Sequence, residues 1–176
     1  DTHLLASNDL CRTAATTSLA AHFADAARLD LPDLAGDAAT LARSLARSLA
    51  RSLAHHVSDT SSPDRMLFGV TGGETTVKLD KISGKGGRAQ EMVLAFADEM
   101  HRLGAEAPPR WLVLVGGTDG RDGPTDSAGA MIGAADPFDA TAGARALQNH
   151  DSYTYLAAHD QLLEAMPTGT NLGDIA

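Results

Sequence analysis

A chain of 176 residues with a formal net charge of −9 has the length of one domain with a proper core. Its charge has the wrong sign for nucleic acid or an anionic membrane surface, and its pI of about 5.0 agrees. Cys11, the only cysteine, excludes an internal disulfide and leaves no cysteine-based zinc site. No apolar run approaches the ~20 residues that span a bilayer. No basic-then-apolar leader is visible, so the expected location is the cytoplasm. The first residue is Asp1 rather than Met, which suggests a longer parent polypeptide.

Two helical stretches fill the first third. An alanine-rich segment from Leu10 to Leu29 is expected to be helical until Leu31-Pro32-Asp33 breaks it. A second helix is expected from Ala38 to Val57, through tandem Ala-Arg-Ser-Leu repeats. Leu41, Leu45, Leu49 and Leu53 recur every four residues and form a slowly rotating apolar stripe. Arg43, Arg47 and Arg51 then fall on roughly the opposite face, expected to be solvated. Residues 1–57 thus read as a helical lead-in, and Ser58 to Asp64 as a polar linker.

Residues 65–176 carry the chemistry. Met66 to Val70 reads as a strand, Thr71 to Glu74 as a loop, and Thr75 to Leu79 as a second, β-branched strand. A glycine loop, Ser83 to Gly87, feeds a helix from Arg88 to Leu103. Trp111 to Val115 reads as a buried strand. It opens into Gly116 to Asp126, a loop holding three aspartates and four glycines. Glycines let backbone approach a ligand closely, and aspartates supply hard oxygen ligands or hydroxyl acceptors. Ala140 to Leu147 and Asp151 to His159 look like short helices. Strands alternating with helices predict a layered α/β domain, a mixed sheet flanked by helices.

Several chemistries are excluded by missing patterns. There is no Walker loop, no H-E-x-x-H and no G-x-S-x-G elbow. The aspartate loop is not an EF-hand, because Arg121 and Gly123 fall at ligand positions and the closing glutamate is absent. Gly84 to Ala89 does satisfy G-x-G-x-x-A between strand and helix, the outline of a dinucleotide fingerprint. No acidic residue at the ribose distance completes it. Backbone N–H groups at the helix start, with Lys85 and Arg88, suit phosphate more generally. Glu74, two glycines into its loop, is placed to bind a hydroxyl or a metal.

Five ordered segments carry a resemblance: Gly72 to Val77, Gly84 to Glu91, Gly117 to Gly129, Asp151 to Tyr153, and Pro167 to Asn171. Together they resemble the MOFRL region, the carboxyl-terminal part of class II glycerate kinases, whose relatives are often labelled hydroxypyruvate reductases. Two departures are Ala89, where the family usually has Asn, and a slightly longer connection between Glu74 and Arg88. The resemblance implies the C-terminal domain of a two-domain enzyme. Such an enzyme transfers the γ-phosphoryl group of ATP to D-glycerate with Mg²⁺, usually giving 2-phosphoglycerate, in a site between the domains. Further essential groups, a lysine and an aspartate, belong to an amino-terminal domain outside this chain. This chain alone is therefore expected to be largely inactive.

The resemblance matches Glu74 and Arg88 to functional positions of the family, and Asp119 joins them as a catalytic candidate by inference from its loop. Gly73, Thr75, Lys85, Gly86, Gly87, Thr118, Asp122, Asp126, Thr170 and Asn171 are the candidates for binding substrate and phosphate. Metal ligands are not assigned. Arg88 is expected to be dispensable for folding, because an arginine at a helix start is seldom buried. The expected partners are a small-molecule substrate and the missing domain, with a homo-oligomer left open. Two other readings remain: an NAD(P)-dependent hydroxypyruvate reductase, and a non-catalytic domain that binds a small molecule or a partner.

Overall fold

A computed structural model describes residues 7–59, 66–79 and 84–176. The chain begins with α1 (Asn8–His22), capped by the Ser7 hydroxyl, which accepts from the Leu10 amide. Two short strands follow, β1 (Ala27–Arg28) and β2 (Leu34–Asp37), then α2 (Ala38–Asp59). Next come β3 (Leu67–Phe68), β4 (Gly72–Thr76) and the central helix α3 (Arg88–Leu103), which ends in a 3₁₀ turn at Gly104–Glu106. The chain closes with β5 (Leu112–Gly117), β6 (Ser127–Gly133), α4 (Ala140–Gln148), α5 (Ser152–Ala157), β7 (Leu162–Glu164) and β8 (Asp174–Ile175).

Six strands form one mixed sheet in the order β2-β4-β8-β5-β6-β7, and β1 and β3 pair separately. The expected layered α/β architecture is therefore present. β8 lies between β4 and β5 and runs antiparallel to both, pairing Asp174 with Gly73 on one side and Gly117 on the other. Short as it is, the carboxyl-terminal strand joins the two halves of the sheet.

The core forms around α3, whose residues from Ala89 to Met100 are all buried. It packs against β5 and β6, and against α2, α4 and α5. Phe96 meets the Trp111 indole at a ring distance of 5.8 Å.

Several elements depart from expectation, each for a tertiary reason. The first helix stops at His22, because Ala27 and Arg28 pair in parallel with Leu67 and Phe68 instead of continuing it. Gly72 and Gly73 were expected in a loop, yet ladders to β2 and β8 make them strand, while Val77 to Leu79 leave it. On α2 the alanines face the core. Ala38, Ala42 and Ala46 are fully buried and Ala50 nearly so, whereas the leucines Leu41, Leu45 and Leu49 are only half-buried against them. Small residues let α2 approach α3 closely, and the leucines fill the flanks.

The arginine stripe is not simply a solvated face either. Arg43 lies 3.6 Å from Asp98, and the Arg47 Nε donates to Glu99 at 2.6 Å. Each arginine directly follows a buried alanine, about 100° around the helix, which places it at the rim of the α2–α3 contact. Arg51 is exposed. Of the expected linker, residues 60–64 lie outside the described residues, as does Ser83 of the glycine loop.

Candidate functional site

The site is assembled where α3 begins, above the β4–β8–β5 junction. Gly87 is the N-cap of α3 and has no side chain to cap it. The cap comes from the aspartate loop: Asp122 accepts from the Ala89 amide at 3.1 Å and from the Gln90 amide at 2.8 Å. Gly87 must be glycine for this, since a Cβ there would collide with the Asp122 carboxylate. A second staple joins the Gln90 side-chain amide to the Thr125 hydroxyl at 2.9 Å.

This corrects one expectation. Two of the helix-start N–H groups thought to hold phosphate are already satisfied by Asp122, which is only 3% exposed. Asp122 is a structural cap, not an open ligand. Burial pushes its pKa up to about 6, against the two amide bonds that favour the charged form. A pyrophosphate docked on those amides would have to displace it, which also removes the geometric basis of the dinucleotide reading.

Arg88 opens α3 and reaches across to the sheet. Its Nε donates to Asp174 Oδ2 at 2.7 Å, and its Nη1 donates to Glu74 Oε1 at 3.0 Å. The two partners differ sharply: the Asp174 side chain is 3% exposed and that of Glu74 is 72% exposed. Burial disfavours the guanidinium charge, but the bonds to Asp174 and Glu74 outweigh it and the pKa of Arg88 rises. Burial also raises Asp174, partly countered by Arg88. Arg88 is thus woven into the fold more deeply than expected.

The remaining candidates divide into two groups. Thr118 donates through its hydroxyl to the Gly173 carbonyl at 2.8 Å and accepts from the Leu172 amide at 2.7 Å, which ties the aspartate loop to β8. The Thr168 hydroxyl donates to the Thr118 carbonyl, and the Met166 amide donates to the Gly120 carbonyl. The segment from Met166 to Gly173 therefore straps the loop. Thr170 and Asn171 lie exposed on that strap, and Asp119 is exposed with its carboxylate accepting from the Arg121 amide. Among the described residues, the hydrogen bonds and ion pairs of Arg88 go to Glu74 and Asp174, not to Asp119, Thr170 or Asn171.

Thr75, expected to bind substrate, is 2% exposed and faces the interior of the sheet layer. Lys85 sits on the glycine loop, with its ammonium 3.6 Å above the Tyr153 ring and 3.4 Å from Asp126. The Asp126 pKa is held below its ordinary value, chiefly by the Tyr153 hydroxyl. Asp151 accepts from the Lys85 amide, the Tyr153 amide donates to the Lys85 carbonyl, and Ser152 lies against Gly86, so the start of α5 frames Lys85 and Gly86.

Asp174 is the residue of the Arg88 cluster that sequence reasoning missed. The only signal for it was a lone acid after Leu172-Gly173, in a stretch too short to read as a strand. Its importance comes from β8 being central, which only the topology reveals. A cavity of about 420 Å³, lined by Met100, His101, Pro108, Pro109 and Trp111, lies at the far end of α3 from this cluster.

Among the described residues no three His, Cys, Asp or Glu side chains are grouped to hold a metal ion. Mg²⁺ needs only one or two carboxylates plus substrate phosphates. Glu74, Asp119 and Asp126 are the exposed carboxylates among the candidate residues. No described helix is long and apolar enough to cross a membrane.

Comparison with known proteins places this architecture. Residues 67–174 match the MOFRL family, and the chain belongs to that family. It is 38% identical over 159 residues to the glycerate kinase of Rattus norvegicus, covering 85% of this chain and 26% of that protein. It is 36% identical over 123 residues to the D-glycerate 2-kinase of Thermotoga maritima, covering 64% of this chain and 26% of the relative. A solved glycerate kinase from Thermotoga maritima superposes with a TM-score of 0.74 at 29% identity, over 99% of this chain and 41% of that one. A solved Pyrococcus horikoshii protein does so with the same TM-score at 31% identity, over 99% and 38%. The chain thus spans about a quarter of the length of the curated relatives it matches.

Proposed function

We propose that this chain is the part of a glycerate kinase that holds an anionic group of the substrate, with catalysis completed by groups outside the chain. The carrying observation is Arg88 at the start of α3, fixed between buried Asp174 and exposed Glu74 where three strands meet. A guanidinium so placed offers its free donors to a carboxylate or phosphoryl group. Phosphoryl transfer asks the protein chiefly for positioning and charge stabilisation. The reaction proposed is transfer of the ATP γ-phosphoryl group to D-glycerate, giving 2-phosphoglycerate, in the cytoplasm.

Each residue has a role within that scheme. Arg88 stabilises charge on the transferring group or holds the glycerate carboxylate. Glu74 orients the hydroxyl or a Mg²⁺, and Asp119 shares the second task. Mg²⁺, held by Glu74 and Asp119 when bound, would supply positive charge against the phosphates. Lys85 contributes positive charge once an incoming phosphate competes with Asp126 for it. The reductase alternative loses ground because Asp122 occupies the amides that a nicotinamide cofactor's pyrophosphate would use.

The test is a chimera in which this chain replaces the matching segment of the Thermotoga maritima D-glycerate 2-kinase. ADP release should depend on D-glycerate, and Arg88→Ala should cut turnover roughly 100- to 1,000-fold, the usual effect of removing one pre-organised donor. The 176-residue chain alone should show little turnover. A folded chimera whose turnover ignores Arg88→Ala refutes the assignment, and robust activity of the chain alone refutes the need for outside groups.

A further inference from the structure

Arg88 has five N–H donors, and the direction in which they point decides how a substrate is met. Asp174 takes the Nε–H at 2.7 Å and Glu74 takes one Nη1–H at 3.0 Å. Three donors are left over, one on Nη1 and two on Nη2.

Asp174 is unusually well anchored for this task. Its backbone sits between Gly73 and Gly117 in the sheet. Its carbonyl accepts from the Asn8 side chain of α1 at 3.1 Å, and that same amide reaches the Leu172 carbonyl at 2.8 Å. Two residues on, Ala176 and Thr71 exchange both backbone hydrogen bonds. Its carboxylate is too deeply buried to meet a substrate directly.

We propose that Asp174 is a positioning residue that locks the Nε edge of Arg88, so that an anionic substrate group is recognised through the donors left on Nη1 and Nη2. The lock stands on the geometry alone. The identity of the anion, a phosphorylated hydroxy acid, rests on the kinase reading above. A side-on pairing through Nε and Nη2 is closed to the ligand because Asp174 already holds Nε.

The experiment follows the Arg88 side-chain signals by proton–nitrogen NMR in the wild-type chain, Asp174→Asn and Glu74→Gln. In wild type the Nε proton should exchange slowly, and addition of 2-phosphoglycerate should move the Nη signals while leaving Nε in place. Asp174→Asn should speed Nε exchange by at least about tenfold, as loss of a charge-assisted hydrogen bond allows, and the Nε signal should then move with ligand. Glu74→Gln should leave Nε exchange slow. Wild-type Nε exchange as fast as in free arginine overturns the lock, as does an Nε signal that shifts more than Nη on adding ligand. The wild-type readout decides even if Asp174→Asn does not fold. Slow wild-type Nε exchange with no response to 2-phosphoglycerate upholds the lock and counts against the kinase reading.

Discussion

Acidification should stabilise this protein through Asp122, the reverse of the usual behaviour of a carboxylate. Asp122 titrates near 6 in the folded chain against an ordinary value of 3.8, because burial outweighs its two amide bonds. Between those values the native state holds a proton that the unfolded state lacks, so stability rises as pH falls across that window. The destabilisation from this raised pKa is about 3 kcal/mol at pH 7.5 and about 1.6 kcal/mol at pH 5, a gain of about 1.4 kcal/mol on acidification. Glu91 and Asp174 are also raised by burial and push the same way, so wild type alone cannot isolate the effect. Asp122→Asn can. The carboxamide keeps the shape, accepts from one of the two amides and does not titrate. Urea unfolding of both proteins at pH 7.5 and pH 5 gives the difference directly. Wild type should gain about 1.4 kcal/mol relative to the variant at the lower pH. An unchanged gap, or one moving the other way, would show that the Asp122 cap is not the buried charge described above.

Other perturbations probe the rest of the framework. Arg88→Ala strands the buried Asp174 and should cost about 1–3 kcal/mol in chemical unfolding, less than a fully enclosed pair because Arg88 reaches solvent; an unchanged midpoint would contradict the pairing. Arg47→Ala should lower the melting temperature, because Glu99 loses its 2.6 Å partner, and a variant that melts like wild type returns Arg47 to a solvated face. Ala46→Leu forces a larger side chain into the α2–α3 contact and should cost about 1–3 kcal/mol, whereas a neutral result by calorimetry would mean the helices are not closely packed there. Gly120→Ala should disturb amide signals from Met166 to Gly173, because Gly120 has φ +79° and an added Cβ would strike the Met166 carbonyl; undisturbed signals would deny the strap.

Much of the site was legible because its chemistry is concentrated in short polar motifs. The α3 helix runs from Arg88 to Leu103 as its apolar spacing requires, and Glu74 and Arg88 do meet. Partners set by long-range pairing were not legible. Asp174 is separated from Arg88 by 86 positions and gains its place only when a two-residue strand enters the middle of the sheet. Asp122 looked like a ligand because buried capping from another loop leaves the same Asp-Gly signature as an open turn. Strands β6 and β8 lack the β-branched alternation that marks a strand, since Ser127 to Gly133 is mostly small residues made strand by their neighbours. On α2 the larger leucines drew attention away from the alanines, although close helix approach favours the smaller side chain.

The Arg88 cluster is the proposed binding place of a phosphorylated hydroxy acid. Titrating 2-phosphoglycerate into the isotopically labelled chain and following the backbone amides tests this most directly. Saturable shifts should gather at Gly73 and Glu74, at Lys85 to Arg88, at Gly117 to Gly120, and at Asn171 to Asp174, and Arg88→Ala should abolish them. Shifts centred instead on the cavity at His101, Pro108 and Trp111, or none that saturate, would contradict it.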